Sequence, residues 1–231
     1  MRDIIVKFLV KLGLYQSVVE VINHLKFKVQ ARRMKKDGLE MLVAADKVCS
    51  QIGVKAFLTY GTLLGAYRDH GFISYDPDID LGVLANEVPK NMHTQMADAG
   101  FKLIRQNVMA KTGLVVEETY EYKKLHLDIF FYIAEGNDFF SIIQCKHETK
   151  DWKEANATDG FPCERSYVPA CEFERREFLG LNIYMPVDTE GWLCAMYSDS
   201  YMTPIKNWNN KDGYVTRRIH LNERSYRKIL C

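Results

Sequence analysis

Residues Leu58 to Leu84 read LTYGTLLGAYRDHGFISYDPDIDLGVL. The stretch opens on apolar and aromatic residues, breaks at Gly61-Thr62, and closes on two aspartates alternating with aliphatic side chains. Val54 to Tyr60 has the composition of a strand, Leu63 to Asp69 that of a short helix ended near Gly71, and Ile79 to Leu84 that of a second strand. On a strand alternate side chains share a face, so Asp78 and Asp80 project together about 6 to 7 Å apart while Ile79 and Leu81 turn to the core.

Upstream, Gly38 to Ser50 reads as a helix with Leu39, Leu42, Val43 and Val48 inward and Gly53 as its stop. Before it lies a basic arm. Met1 to Lys36 holds nine Lys and Arg against Asp3 and Glu20, a net charge of +7 in a chain whose total is +1. Ile4, Ile5, Phe8, Leu9 and Leu12 share one helical face, and Val18, Val19, Ile22 and Leu25 continue in helical period. The arm suits either an anionic membrane surface or an apolar stripe packed on the body. We therefore divide the chain into a helical arm, residues 1–37, and a globular body, residues 38–231.

Downstream, Pro89 to Ala99 reads as a helix, followed by strands over Phe101–Gln106, Leu114–Tyr122, Leu125–Tyr132 and Phe139–Lys146. His147 to Cys171 turns polar and irregular, as a surface excursion or a lid does. Glu174 to Pro186 is strand-like, Glu190 to Tyr197 is a short helix, and Tyr201 to Asn210 is an aromatic, amide-rich loop before a basic tail. The succession predicts an α+β fold, a mixed sheet flanked by helices.

With 231 residues, 47% hydrophobic and 12% aromatic, the chain can bury a sizeable core. No apolar run reaches the roughly twenty residues of a membrane span, and charges interrupt the N-terminus too often for a signal peptide. These features predict a soluble, cytoplasmic protein, or one peripheral on the inner face of a membrane, without a nucleic-acid partner. The six cysteines form no CxxC pair, which disfavours a disulfide scaffold or a structural zinc site. A zinc site from Cys145, His147, Cys163 and Cys171 would need irregular spacing. Asn156-Ala157-Thr158 is a glycosylation sequon short enough to arise by chance.

Two carboxylates on one strand face repel each other, and magnesium or manganese relieves that repulsion while leaving positions for phosphate oxygens. A third acid is expected nearby. Asp128, in Leu125-His126-Leu127-Asp128-Ile129-Phe130, is an acid on an otherwise apolar strand, suited to a metal or to the proton of an attacking hydroxyl. Gly61 lets the backbone approach a ligand, and the amides of Gly61 and Thr62 at a helix start suit a phosphate. Arg68 adds a charge-assisted contact, and Asp76 orients the loop or serves as an outer ligand.

Other readings remain open on the residues alone. A calcium loop would use Asp76, Asp78, Asp80 and Glu87 but lacks the glycine at its sixth position, where Leu81 stands. A sugar transferase with an Asp-x-Asp site would not need the Gly-Thr turn. The acids could also be merely solvated at a strand end. Tyr201, Asn207 and Trp208 are either packing and loop-capping residues or substrate contacts.

The motifs YGTLLGAYRDHGFISYDPDIDLGV, HLDIFFY, FLGLNIYMPVDTEGWL and MYSDSYMTP, in that order over residues 40–210, resemble the LicD and fukutin-related family, within the nucleotidyltransferase superfamily related to polymerase beta. The resemblance implies a nucleotidyltransferase-like fold and a metal-dependent phosphotransferase. Such an enzyme passes phosphocholine or an alditol phosphate from a CDP-activated donor to a hydroxyl of a cell-surface glycan, free or lipid-linked. It implies Asp78, Asp80 and Asp128 as metal ligands and catalytic carboxylates, with Gly61, Thr62 and Arg68 at the donor phosphates. Tyr75 departs from the Trp common in such proteins, and Ser198-Asp199-Ser200 from their Gly-Asp pair. Transfer of a nucleotide to a small molecule, metal-dependent sugar transfer and a binding module with an inactive site are the rival functions.

Overall fold

The computed structural model describes residues 15–204 and 217–230, so the expected helix over residues 4–12 and the loop residues Asn207 and Trp208 lie outside the described residues. Helix α1 is a single element, Tyr15–Gln51. At 1.5 Å per residue it is about 55 Å long. The sequence suggests a fresh start at Gly38, but the helix runs straight through it, and the boundary drawn between arm and body falls inside α1. Gly38 is there for packing. A Cβ at that position would lie 3.2 Å from Met34 Cε and 3.3 Å from Phe72 Cε2. Beyond it Met41, Leu42, Ala45, Val48 and Cys49 are buried at helical spacing against the sheet. Arg175 ties the same helix to the sheet through Asp46 at 3.2 Å and Ser50 at 2.9 Å. Lys28, Arg32, Lys35 and Lys36 are exposed on it. No helix among the described residues is long and apolar enough to cross a membrane.

Strand β1 is only Phe57–Leu58, because the chain turns at Tyr60 (φ 41°) directly into α2, Tyr60–Leu64, and a π-type turn, Gly65–Asp69. Then follow β2 (Asp78–Leu84), α3 (Met92–Asp98), β3 (Lys102–Met109), β4 (Val115–Tyr122), β5 (Leu125–Glu135) and β6 (Asp138–Gln144). Next come α4 (Trp152–Ala157), β7 (Phe161–Pro169), β8 (Phe173–Phe178), β9 (Leu181–Pro186), α5 (Thr189–Tyr197) and β10 (Arg218–Ile229). The strand-like stretch 174–186 is thus a hairpin, broken where Leu179 and Gly180 both take positive φ.

The ten strands form one mixed sheet in the order β4-β3-β10-β7-β6-β5-β2-β1-β9-β8. β2 runs parallel to β5, and β1 parallel to β9. β4 also pairs with β5, which joins β5, β4, β3, β10, β7 and β6 into a closed ring. The ring has its own small core of Met109, Val116, Phe140, Ile142, Cys163 and Tyr167, with Ile133 and Leu221 against it, drawn from all six strands.

One expectation fails here. The polar stretch 147–171 is not a lid: it contains α4 and the interior strand β7. His147, buried, holds its start, accepting at Nδ1 from the amides of Thr149 and Lys150 and donating from Nε2 to Asp159 at 3.2 Å. The basic tail, for which the sequence suggested no element, is strand β10 and lies between β3 and β7. Asn156 is bound into this arrangement, pairing its side-chain amide with the Arg227 backbone at 3.0 and 2.6 Å. Cys49, Cys145, Cys163, Cys171 and Cys194 are free thiols.

Candidate active site

The parallel pairing of β2 with β5 puts Asp80 in register with Asp128. Asp78 and Asp80 share a face of β2, and the Pro77 turn brings Asp76 to the same place. One oxygen from each of Asp76, Asp78 and Asp80 lies within 4.8 Å of the others, the one such group of potential metal-ligating side chains among the described residues. The zinc grouping of Cys145, His147, Cys163 and Cys171 therefore does not form there. Nor does a calcium loop, because residues 78–84 are a strand and Glu87 sits on a separate 3-10 turn.

The acids are held against their charge. Burial pushes Asp78 up to about 7, with Asp76 adding repulsion. Burial followed by repulsion from Asp78, Asp76 and Asp128 places Asp80 well above the usual carboxylate range. Asp76 is raised for the same primary reason. Three crowded carboxylates are a hard, all-oxygen donor set of the kind that suits magnesium or manganese.

Asp128 stands slightly apart. Its Oδ1 accepts from Thr119 Oγ1 at 2.5 Å and lies 3.6 Å from Arg105 Nη2. Burial raises it to about 6, against the pull of Arg105. Arg105 also bonds Glu117 Oε1 at 2.6 Å, while Asn107 donates to Glu117 Oε2 at 2.7 Å. A half-buried guanidinium thus links two acids from neighbouring strands, and Glu117 lines the same cavity as the aspartates. Sequence reasoning passed over this group. The signal was Glu117-Glu118, two consecutive acids on one strand, of which alternation turns one inward whatever the register.

The Gly-Thr turn serves the acids directly. Gly61 N–H donates to Asp80 Oδ2 at 3.0 Å, and Thr62 Oγ1, buried, accepts from the Asp80 amide at 2.9 Å. Thr62 does not line the cavity, whereas Gly61 does. A Cβ on Gly61 would fall 2.0 Å from Asp76 Oδ2, so the glycine is required by the approach of that carboxylate.

The cavity beside the acids has a volume of about 830 Å³. Arg68 enters it from the π-type turn, bonded to Asp69 at 2.7 Å and to the Tyr201 carbonyl at 3.4 Å. Tyr201 lines it as well, beside Tyr67, whose hydroxyl bonds Glu190. Tyr60, Tyr75, Phe130 and Tyr197 supply aromatic wall, and Gln144 and Arg218 supply polar wall from the ring strands. An acid cluster, two arginines and aromatic rings around one cavity fit a ligand with phosphate and ring portions.

Residues 53–188 match the family described as LicD/FKTN/FKRP, nucleotidyltransferase domain. The chain belongs to this family. Among similar proteins of the LicD/FKTN/FKRP family, "Ribitol-5-phosphate transferase FKTN" of Macaca fascicularis is 27% identical over 184 residues, covering 79% of this chain and 37% of the relative. The Mus musculus protein of the same name is 27% identical over 186 residues, 80% of this chain and 37% of the relative. The Homo sapiens protein is 26% identical over 184 residues, with coverage of 79% and 37%. The chain spans little more than a third of the length of these relatives. The matched LicD segment contains all four aspartates, Gly61, Thr62, Arg68 and Glu117, while Tyr201, Arg218 and the whole of α1 lie outside it.

Proposed function

We propose that this LicD-family chain transfers a phospho-substituent, phosphocholine or an alditol phosphate, from a CDP-activated donor to a hydroxyl of a glycan. The observation that carries the proposal is the close group of Asp76, Asp78 and Asp80, the last of them buried and the other two half-buried, on the wall of an 830 Å³ cavity. The names of the relatives favour ribitol phosphate as the substituent. The mixed sheet with its paired strand carboxylates is compatible with a nucleotidyltransferase-like core.

Magnesium or manganese held by Asp76, Asp78 and Asp80 would draw charge from the phosphate oxygens and the leaving group. Arg68 and Arg218 would bind the donor's anionic portion, and the aromatic wall its base. The acceptor hydroxyl oxygen forms a bond to the distal phosphorus while the phosphorus bond to the CMP oxygen breaks. Asp128 would take the hydroxyl proton, a role suited to a carboxyl raised to about 6 yet kept available by Thr119 and Arg105.

The test is the identity of the product. CMP release from CDP-ribitol, CDP-choline or CDP-glycerol marks phospho-group transfer, whereas pyrophosphate release from CTP marks nucleotidyl transfer and would replace this proposal. The true donor at a hundred times its dissociation constant should stabilise the protein by about 2.7 kcal/mol in a thermal melt.

Gly61→Ala provides a further check. The added methyl must displace the Asp76 carboxylate, and a misplacement of that size is expected to lower transfer about a hundredfold. A variant with more than half the wild-type rate would show that Asp76 is dispensable.

A further inference from the structure

The three acids sit on the Asp76-Pro77-Asp78 turn and the start of β2, and that turn is held from outside the matched LicD segment. Gln30 of α1 reaches across to it. Its side-chain Nε2 donates to the Pro77 carbonyl at 3.1 Å and to the Lys124 carbonyl at 3.4 Å. Both contacts fall at structurally equivalent places. Pro77 directly precedes β2, and Lys124 directly precedes β5, the two parallel strands that pair Asp78 with His126 and Asp80 with Asp128.

The choice of anchoring atoms follows from the backbone. Proline has no N–H, so its carbonyl is the one main-chain group by which residue 77 can be fixed through a hydrogen bond. That carbonyl shares a rigid peptide plane with the nitrogen of Asp78, so holding the oxygen restricts the direction in which the Asp78 side chain leaves the chain. Lys123 and Lys124 form the β4–β5 turn with φ of 50° and 66°, a left-handed pair that presents the Lys124 carbonyl to the helix.

We infer that Gln30 is a positioning residue for the acid cluster: one amide group on α1 locks the leading ends of β2 and β5 together and so sets the spacing of Asp76 and Asp78. The inference rests on the reading that these acids hold a divalent cation, and it assigns to α1 a part in that site. Gln30 touches neither the cation nor the substrate. Removing it leaves two exposed carbonyls that water can satisfy, so the loss is in geometry rather than in folding.

The experiment is a Mn2+ titration of the full chain, read from the electron paramagnetic resonance signal of the free ion, on wild type, Gln30→Met, Gln30→Ala and Val29→Ala. Gln30→Met keeps the length and helix preference of the side chain and removes only the donor. Outer-shell partners typically change metal affinity by 10- to 100-fold, and for a contact acting through one peptide we expect about tenfold weaker Mn2+ binding in both Gln30 variants. Thermal midpoints within about 3 °C of wild type and unchanged binding in Val29→Ala should accompany it. Wild-type affinity in a folded Gln30→Met or Gln30→Ala overturns this inference alone. A wild-type chain that binds no Mn2+ overturns the metal reading and this inference with it.

Discussion

Asp78→Asn and Asp80→Asn should each lower transfer by about a thousandfold or more while making the metal-free protein more stable. The first effect follows from the several kcal/mol of charge stabilisation that a bound cation contributes to phosphoryl transfer, at about 1.4 kcal/mol per tenfold in rate. The second follows from the electrostatics of the cluster. Asp78 rises from an ordinary 3.8 to about 7 because it is buried beside Asp76. The folded chain therefore holds more protons than the unfolded chain between about pH 4 and pH 7, and stability falls as pH rises through that window. Asn carries no charge at any of these pH values, and its carbonyl at position 80 can still accept the Gly61 amide. In EDTA, melts at pH 5 and pH 8 should show a drop for wild type and a smaller one for the Asn variants. At pH 8 the variants should exceed wild type by at least about 1 kcal/mol. Manganese should raise the wild-type midpoint and leave the variants' unmoved. Retained activity in either variant would remove the acids from the chemistry, and a steeper loss of stability would remove the repulsion argument.

Trp192→Ala carries the largest expected loss of stability. Trp192 is fully buried on α5 and sits 5.2 to 5.8 Å, centroid to centroid, from Phe57, Tyr132 and Phe173. Its Nε1 donates to the Pro169 carbonyl at 2.8 Å, so truncation empties the centre of the aromatic cluster and orphans that acceptor. Such a change destabilises by about 3 to 5 kcal/mol. At about 2 to 4 °C per kcal/mol the midpoint should fall by roughly 10 °C. Met196 and Tyr197, one turn further along α5, line the cavity, so donor binding should weaken as well. A shift below about 3 °C would mean that α5 is held by something other than this tryptophan.

Much of the site was legible because it depends on local periodicity. Alternation alone places Asp78 and Asp80 on one face, and the lone acid in an apolar strand singles out Asp128. What escaped were features set by distant partners. β7, FPCERSYVP, and β10, RIHLNERSYRKI, look like polar loop and basic tail because they line a small ring whose core accepts Cys163 and Leu221 and whose other side is satisfied by ion pairs. Arg217 clamps Asp138 at 2.5 Å, and Arg218 reaches Glu164 at 3.5 Å. Charge there marks cross-strand pairing, which no window of neighbouring residues contains. The closeness of Asp76 to Gly61 and the link from Arg105 to Glu117 and Asp128 are likewise matters of register. Helix α1 was misjudged for the opposite reason: Gly38 reads locally as the point where a new helix starts, whereas it sits inside one helix where Met34 and Phe72 leave little room for a Cβ.

The seat of β10 between β3 and β7 bears on how the protein is made. β3 pairs with a segment roughly a hundred residues further along the chain, so a nascent chain carries the facing edges of β3 and β7 unpaired until β10 has been made. Open strand edges are templates for association with other chains. Truncation before Arg218 should therefore yield insoluble protein and not merely a less stable one, which the soluble fraction of a chain ending at Arg217 would measure. β10 thus acts as the clasp of the ring: the edges of β3 and β7 are sealed by a strand far from both in sequence, and the solubility of the chain turns on that strand.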